Sequence, residues 1–339
     1  MKLRSKETYW LLKNGLITSY PTLQKNIACD ILIIGGGITG SLMAYQLSQE
    51  GYETVLIDKR DIAMGSTSAT TALLQYEIDE PLYSLIGKVG ENIAVDSYRE
   101  GVLALTKLSK IVKTVKANCE FKRKDSVYVA DSQDDKEWLR KEFLSRQKFS
   151  LDVKWLSSSQ LKDQYGVVGK AAILSTAAAS MDAYKFAHTL LSHSIKHYGL
   201  KVYDHSNAEK VTYQSNSNSN SVITDNKCVI TCKKIVYASG YETQQMLKKN
   251  IVTLNSTYAF ISEPLLKMPK SLQDTIFWNT QNPYLYLRST PDKLVGLYAW
   301  AFVFFSSRII IIRTNYVGML MNIGIKKHKT YRRSFNSCF

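Results

Sequence analysis

Three glycines in the run Gly35-Gly36-Gly37-Ile38-Thr39-Gly40 follow the spacing Gly-x-Gly-x-x-Gly, and a carboxylate, Asp58, stands a short helix and strand further on. Glycine, helix start and acid are the parts that bind an adenine dinucleotide. Gly35 permits the tight turn, Gly37 lets backbone approach a pyrophosphate, and Gly40 lets a helix pack close to a strand. The helix N-terminus then offers orphan N–H groups and the positive end of its dipole to the phosphates. Asp58 is placed to accept hydrogen bonds from ribose hydroxyls. A third group, the loop Gly65-Ser66-Thr67-Ser68-Ala69-Thr70-Thr71-Ala72, brings hydroxyl and backbone donors for further phosphate oxygens.

These residues do chemistry together only if regular elements hold them. Cys29 to Ile34 reads as an apolar strand running into the glycine turn, Ser41 to Glu50 as a helix with Met43 and Leu47 on one face and Gly51 closing it, and Thr54 to Ile57 as a second strand. The order strand, turn, helix, strand, acid separates this motif from a plain glycine-rich loop.

Composition sets the class. The 339 residues are 45% hydrophobic, 22% charged and 11% aromatic, ordinary for a globular chain of one large or two interleaved domains. The net charge of +15 is uneven: residues 293–339 hold eight Lys or Arg and no acid, against 36 basic and 29 acidic residues before them. No nucleic-acid partner is expected, because basic and aromatic residues do not cluster on one segment. The N-terminus lacks an apolar signal region, and Cys29, Cys119, Cys228, Cys232 and Cys338 form neither a disulfide ladder nor a zinc pattern. A cytoplasmic protein with free thiols and no metal is expected. His188, His193 and His197 fall on one helix without an accompanying Glu, which favours packing or solvent over a metal.

Further along, residues 1–27 read as an irregular arm. Residues 91–118, 136–147, 158–165 and 184–198 have helical patterns, and 126–130, 151–156 and 200–203 are strand-like. Ala208 to Gln214 and Val222 to Thr231 look like a hairpin around the polar run 215–221, followed by a strand from Lys234 to Glu242. The alternation suggests an α/β chain with a second domain inserted in the first.

Taken in order, the glycine motif, Asp58, the Gly65 loop, Ala178-Ala179-Ser180-Met181-Asp182-Ala183, Ala238-Ser239-Gly240 and Tyr284-Leu285-Tyr286-Leu287-Arg288-Ser289-Thr290-Pro291-Asp292 resemble the FAD-dependent oxidoreductases of the D-amino-acid oxidase and glycine oxidase family. The Thr67 and Thr70-Thr71 pattern looks closest to the γ-glutamylputrescine oxidase-like and Rieske-linked branch. The likeness covers about residues 9–292. It implies a Rossmann-type FAD-binding domain from 28–90 and 182–255, with an inserted α+β substrate domain from 91–181 and 256–292. It also implies FAD as cofactor: Gly35, Gly37, Ile38, Thr39 and Gly40 on the pyrophosphate, Asp58 on the ribose with Lys59 beside it, Ser66 and Thr67 on the phosphate and ribityl side, Val211 on adenine, and Gly240 along the cofactor. The family more often has Glu where this chain has Asp58.

The implied reaction is oxidation of an amine or amino acid C–N bond by hydride transfer to flavin N5, with oxygen or a redox partner as acceptor. No catalytic side chain is identifiable. Tyr258, Tyr284, Tyr286 and Arg288 are candidates for a pocket wall. Arg60 suggests an NADP 2′-phosphate, which Asp58 would repel. An NAD(P)-dependent dehydrogenase and an inactive FAD-binding remnant remain as alternatives. The stretch from about residue 293 lacks the family's closing segment: Leu294 to Ile312 is apolar with Arg308 embedded, then basic. A shifted frame or truncation is expected there, ahead of an unrecognised soluble segment or a membrane anchor.

Overall fold

The computed structural model describes residues 3–4, 7–213, 219–247, 249, 253, 257–262, 267–281, 284–293 and 295–300. In chain order the elements are α1 (Tyr9–Asn14), β1 (Ile27–Ile34), α2 (Ile38–Gln49), β2 (Thr54–Ile57), β3 (Leu73–Gln75), α3 (Leu82–Val89), α4 (Glu91–Thr114) and β4 (Lys122–Ala130). Next come α5 (Gln133–Lys148), β5 (Val153–Ser157), α6 (Ser158–Tyr165), β6 (Ala171–Ser180), α7 (Ala183–Tyr198), β7 (Lys201–Tyr203), β8 (Ala208–Thr212), β9 (Asn220–Thr224) and β10 (Val229–Tyr237). The described elements close with β11 (Thr257–Ile261), α8 (Lys270–Gln273), β12 (Thr275–Asn279), β13 (Leu285–Ser289) and β14 (Val295–Trp300). Two 3-10 turns, Ser66–Ala69 and Gly240–Met246, lie between them.

The chain divides into two compact units, one of residues 1–74, 106–122 and 180–254, the other of 75–105, 123–179 and 255–339. Residues 106–122, expected with the second domain, cluster with the first unit; they are the C-terminal end of α4 and the turn after it.

The first unit holds a six-stranded sheet of order β7-β2-β1-β10-β9-β8. β1 runs parallel to both β2 and β10, and β2 parallel to β7. Ile31, Leu32, Ile33 and Ile34 of β1 are all buried, as a central parallel strand covered on both faces requires. α2 buries Gly40, Ser41, Ala44, Tyr45 and Ser48, and Leu47 packs half-buried against the same core. Met43 is exposed, and α2 packs on α7. α7 is fixed at both ends: the Lys185 N–H donates to Asp182 Oδ1 at 2.8 Å, and Gly199 closes the helix with φ of 70°.

Two sequence expectations change. The arm contains a helix, α1, whose Trp10 Nε1 donates to the Thr70 carbonyl at 2.7 Å. Val222 to Thr231 is not one strand: residues 225–228 turn, β9 pairs antiparallel with β10, and β10 runs from Val229 to Tyr237. Asp225 and Asn226 supply the turn, and Lys227 takes φ of +66°.

The second unit is built on a sheet of order β11-β14-β13-β12-β4-β6, with β5 pairing to β6. Ser132 with Asp135, and Ser157 with Gln160, form capping boxes that start α5 and α6. Tyr128 and Trp278 stack with ring centroids 3.5 Å apart. Residues 295–300, expected to lie in an atypical tail, form β14, which pairs antiparallel with β13 and β11. Residues 301–339, where the rest of that expectation falls, lie outside the described residues. Among the described residues no helix is long and apolar enough to cross a membrane.

Candidate functional site

The C-terminal ends of β1, β2 and β10 open on a cavity of about 590 Å³ in the first unit, within the usual range for ligand pockets. β1 hands directly to the glycine turn. The Gly35 N–H donates to the Ile57 carbonyl at 2.8 Å, and the Ala238 N–H to the Ile34 carbonyl at 2.8 Å, so three strand ends converge. Gly35 has φ of +112°, and a Cβ there would lie 2.5 Å from the Ala238 carbonyl oxygen. A Cβ on Gly40 would fall on the carbonyl oxygen of Gly35. Both glycines are therefore dictated by backbone approach.

Gly37, Ile38 and Thr39 line the cavity at the start of α2. The Ile38 N–H donates to Thr67 Oγ1 at 2.9 Å, bracing the helix start against the hydroxyl-rich turn. Ser66, Thr67 and Thr70 line the same wall.

Asp58 leaves β2 with its main chain held on both sides: its N–H donates to the Tyr203 carbonyl and its own carbonyl accepts from Ser206. Its carboxylate accepts the Gly36 N–H at 2.7 Å and the Arg60 N–H at 2.9 Å. Burial raises its pKa above the usual carboxylate value, and the N–H groups of Arg60 and Gly36 work against that rise. The shorter arm of Asp, compared with Glu, keeps the carboxylate close enough to lock the turn.

Beyond Asp58 stand Lys59 and Arg60. Lys59 Nζ meets Glu242 Oε1 at 2.8 Å, and Arg60 Nη2 meets Glu242 Oε2 at 2.8 Å. Glu242 comes from the 3-10 turn after β10, and Gly240 and Glu242 both line the cavity. Burial pushes the Glu242 pKa up, but hydrogen bonds from Arg60 and Lys59 outweigh it and hold the carboxyl below its ordinary value.

Gly35, Gly37, Ile38, Thr39, Asp58, Lys59, Ser66, Thr67 and Gly240 thus line one cavity. Gly40 packs beneath it. Val211 does not line it: it sits in β8, opposite Val222, and packs against the core on that side of the sheet. The wall near β8 comes instead from Ser206, Asn207 and Ala208. Tyr284, Tyr286 and Arg288 belong to the second unit and do not line this cavity; Tyr258 lies in β11. The pairing of Arg60 with Glu242 was missed, since 182 residues separate them. The only local signal was Glu242 closing a strand that ends on small residues.

Residues 30–311 match the sequence model of the family described as FAD dependent oxidoreductase. The chain belongs to this family. The match extends past Asp292, further than the sequence motifs reach. A Bacillus subtilis (strain 168) protein provisionally named as the Rieske 2Fe-2S iron-sulfur protein YhfW is 36% identical over 126 residues, covering 37% of this chain and 25% of that relative. The chain thus aligns with about a quarter of that relative's length. Among solved structures, an L-amino acid deaminase from Proteus vulgaris superposes with a TM-score of 0.65 at 16% identity, covering 92% of this chain and 76% of that one. L-α-glycerophosphate oxidase from Mycoplasma pneumoniae with FAD bound gives 0.62 at 14% identity, covering 80% and 71%. The fold is that of these two proteins. FAD is the family's cofactor, and a helix start, a glycine turn of bare backbone and the half-buried Asp58 carboxylate around one cavity fit it.

Proposed function

We propose that this enzyme oxidises the C–N bond of an amine or amino acid. The observation that carries the cofactor half of the reading is the convergence of the glycine turn, the Thr67 turn, Asp58 and Gly240 on one cavity. The substrate half is supported by the ordered motifs resembling D-amino-acid oxidase and glycine oxidase, and by the shared fold of an L-amino acid deaminase.

In this reading Gly35, Gly37, Ile38 and Thr39 receive the pyrophosphate, with α2's dipole behind them. Asp58 uses its remaining lone pairs for the ribose hydroxyls while holding the turn. Ser66 and Thr67 meet the phosphate and ribityl side, and Gly240 leaves room for the cofactor to pass. Bound FAD supplies N5 as the hydride acceptor from the substrate carbon, and the imine left behind is hydrolysed by water. The protein's own work is to hold that carbon in line and to exclude competing water.

The test is anaerobic reduction of the purified yellow protein by a panel of amino acids, primary amines, secondary amines and glycerol 3-phosphate. Bleaching of the flavin bands by a nitrogen substrate, with an imine-derived carbonyl product after hydrolysis, is expected. Reduction by glycerol 3-phosphate alone would replace this reading with alcohol oxidation.

A further inference from the structure

We propose that Glu242 sets which dinucleotide the cavity accepts: by occupying Lys59 and Arg60 it denies both cations to a 2′-phosphate, reserving the site for adenosine with free ribose hydroxyls. This rests on the reading above that the ribose lies at the end of β2.

The chain carries both devices that dinucleotide folds use at this position. An acid at the strand end suits free ribose hydroxyls, and an arginine just beyond it suits a 2′-phosphate. Here Arg60 follows Asp58 by two residues, with Lys59 between them, so in sequence the repulsion by Asp58 faces two cations that could outweigh it. The structure closes it through a remote residue. Glu242, its side chain 7% exposed, takes Lys59 Nζ at 2.8 Å on one oxygen and Arg60 Nη2 at 2.8 Å on the other, with Arg60 Nη1 at 3.4 Å. All four residues line the same cavity.

Charge then decides. Asp58, Lys59, Arg60 and Glu242 sum to zero when ionised, so a 2′-phosphate would enter beside two carboxylates with no net positive partner. Arg4 also faces Arg60, its Nε donating to the Met64 carbonyl at 2.6 Å; its charge is the same in wild type and in every variant, so it cancels from the comparison. Without the Glu242 charge the set becomes net positive, and two cationic heads face the ribose position. A phosphate dianion is the ligand such a pair recognises.

The experiment measures displacement of FAD from the full-length protein, followed by flavin fluorescence, with adenosine 5′-diphosphate and adenosine 2′,5′-bisphosphate as competitors. Wild type is expected to prefer the 5′-diphosphate at least tenfold. Glu242→Gln should cut that preference tenfold or reverse it, Glu242→Asp should restore part of it, and adding Lys59→Ala and Arg60→Ala to Glu242→Gln should bring it back. A variant that weakens both competitors equally would make Glu242 a brace and overturn the proposal. An independent check leaves Glu242 intact: Lys59→Ala with Arg60→Ala, which leaves two carboxylates and neither cation, should hold or raise the wild-type preference for the 5′-diphosphate, and a tenfold fall there would overturn the proposal. If neither nucleotide displaces FAD from wild type, the placement of the ribose falls first, and this proposal with it.

Discussion

Asp58 holds two backbone N–H groups with one carboxylate, at 2.7 and 2.9 Å, so its side chain shapes the glycine turn before any ligand arrives. Asp58→Ala should weaken FAD by about 1–3 kcal/mol, the scale of lost charge-assisted hydrogen bonds. Turnover at saturating FAD should change little, and an unchanged dissociation constant in a direct titration would remove Asp58 from the site. His188 shows the opposite case, a titratable residue that serves packing. It is 2% exposed on α7, with the Tyr184 ring edge-on at 4.9 Å and Tyr20 stacked at 6.4 Å. Burial lowers its pKa to about 4, so the folded state holds the neutral ring. The unfolded chain binds that proton near its ordinary value, so stability is intact above pH 6.5 and is lost as pH falls toward 4, by on the order of 3 kcal/mol at most. Melting wild type and His188→Phe across this window should give a shallower loss in the variant; parallel curves would place the acid sensitivity elsewhere. Gly35, Gly37 and Asp58 were legible as a motif because their spacing follows one βαβ unit, while the groups that crowd Gly35 and Gly37, the Ala238 carbonyl and the Thr67 hydroxyl, lie outside it. For His188 the sequence left packing and solvent both open, since its aromatic neighbours include Tyr20 from the distant arm.

At the scale of elements, β1 and α2 form a junction with almost no spare volume. A Cβ on Gly37 would stand 3.0 Å from Thr67 Oγ1, which already accepts the Ile38 N–H. Gly37→Val should therefore abolish the oxidised-flavin bands while leaving a folded chain by circular dichroism. Stoichiometric flavin in that variant would refute the placement of the phosphates. α7 offers a separate check, because Asp182 accepts the Lys185 N–H at 2.8 Å and Asn14 Nδ2 at 2.7 Å, tying the helix start to the arm. Asp182→Ala should cost about 1–2 kcal/mol, read from denaturant midpoints. Most helices were legible from their periodicity and punctuation. The buried face of α2 was legible only in part: Leu47 packs against the core, but Met43 is exposed, and Ser41, Ala44, Tyr45 and Ser48 are the residues most buried. The break between β9 and β10 was hidden because apolar residues flank a three-residue polar turn on both sides.

On the scale of the whole molecule, each unit carries its own buried structure, and the second hides an ionic cluster that local sequence disguises as surface. Glu142 and Arg146 have the spacing of an ordinary exposed helix pair on a charged helix. In the structure Arg146 Nε meets Glu142 Oε1 at 2.5 Å and Nη1 meets Glu77 Oε1 at 3.2 Å, with all three side chains at most 1% exposed. Tyr76 and Tyr98 lie 5.6 Å from the guanidinium. Glu77 is 69 residues away in sequence, which is why the cluster cannot be read from the helix alone. Burial raises the Glu77 pKa, and Arg146 opposes that rise. Arg146→Met should leave two buried carboxyls without a cation and cost about 3–5 kcal/mol at neutral pH. A carboxyl whose folded pKa is raised contributes stability below its unfolded value, near pH 4.5, and loses it as pH rises through the folded value. The deficit of Arg146→Met should accordingly shrink on acidification toward pH 4.5, and Glu77→Gln in the same chain should recover part of it at neutral pH. Because the cavity proposed for FAD is lined by the first unit alone, flavin absorption below the melting temperature should survive the substitution. A variant that unfolds at the same urea concentration as wild type, with no pH dependence of the difference, would show that the cluster does not carry this stability.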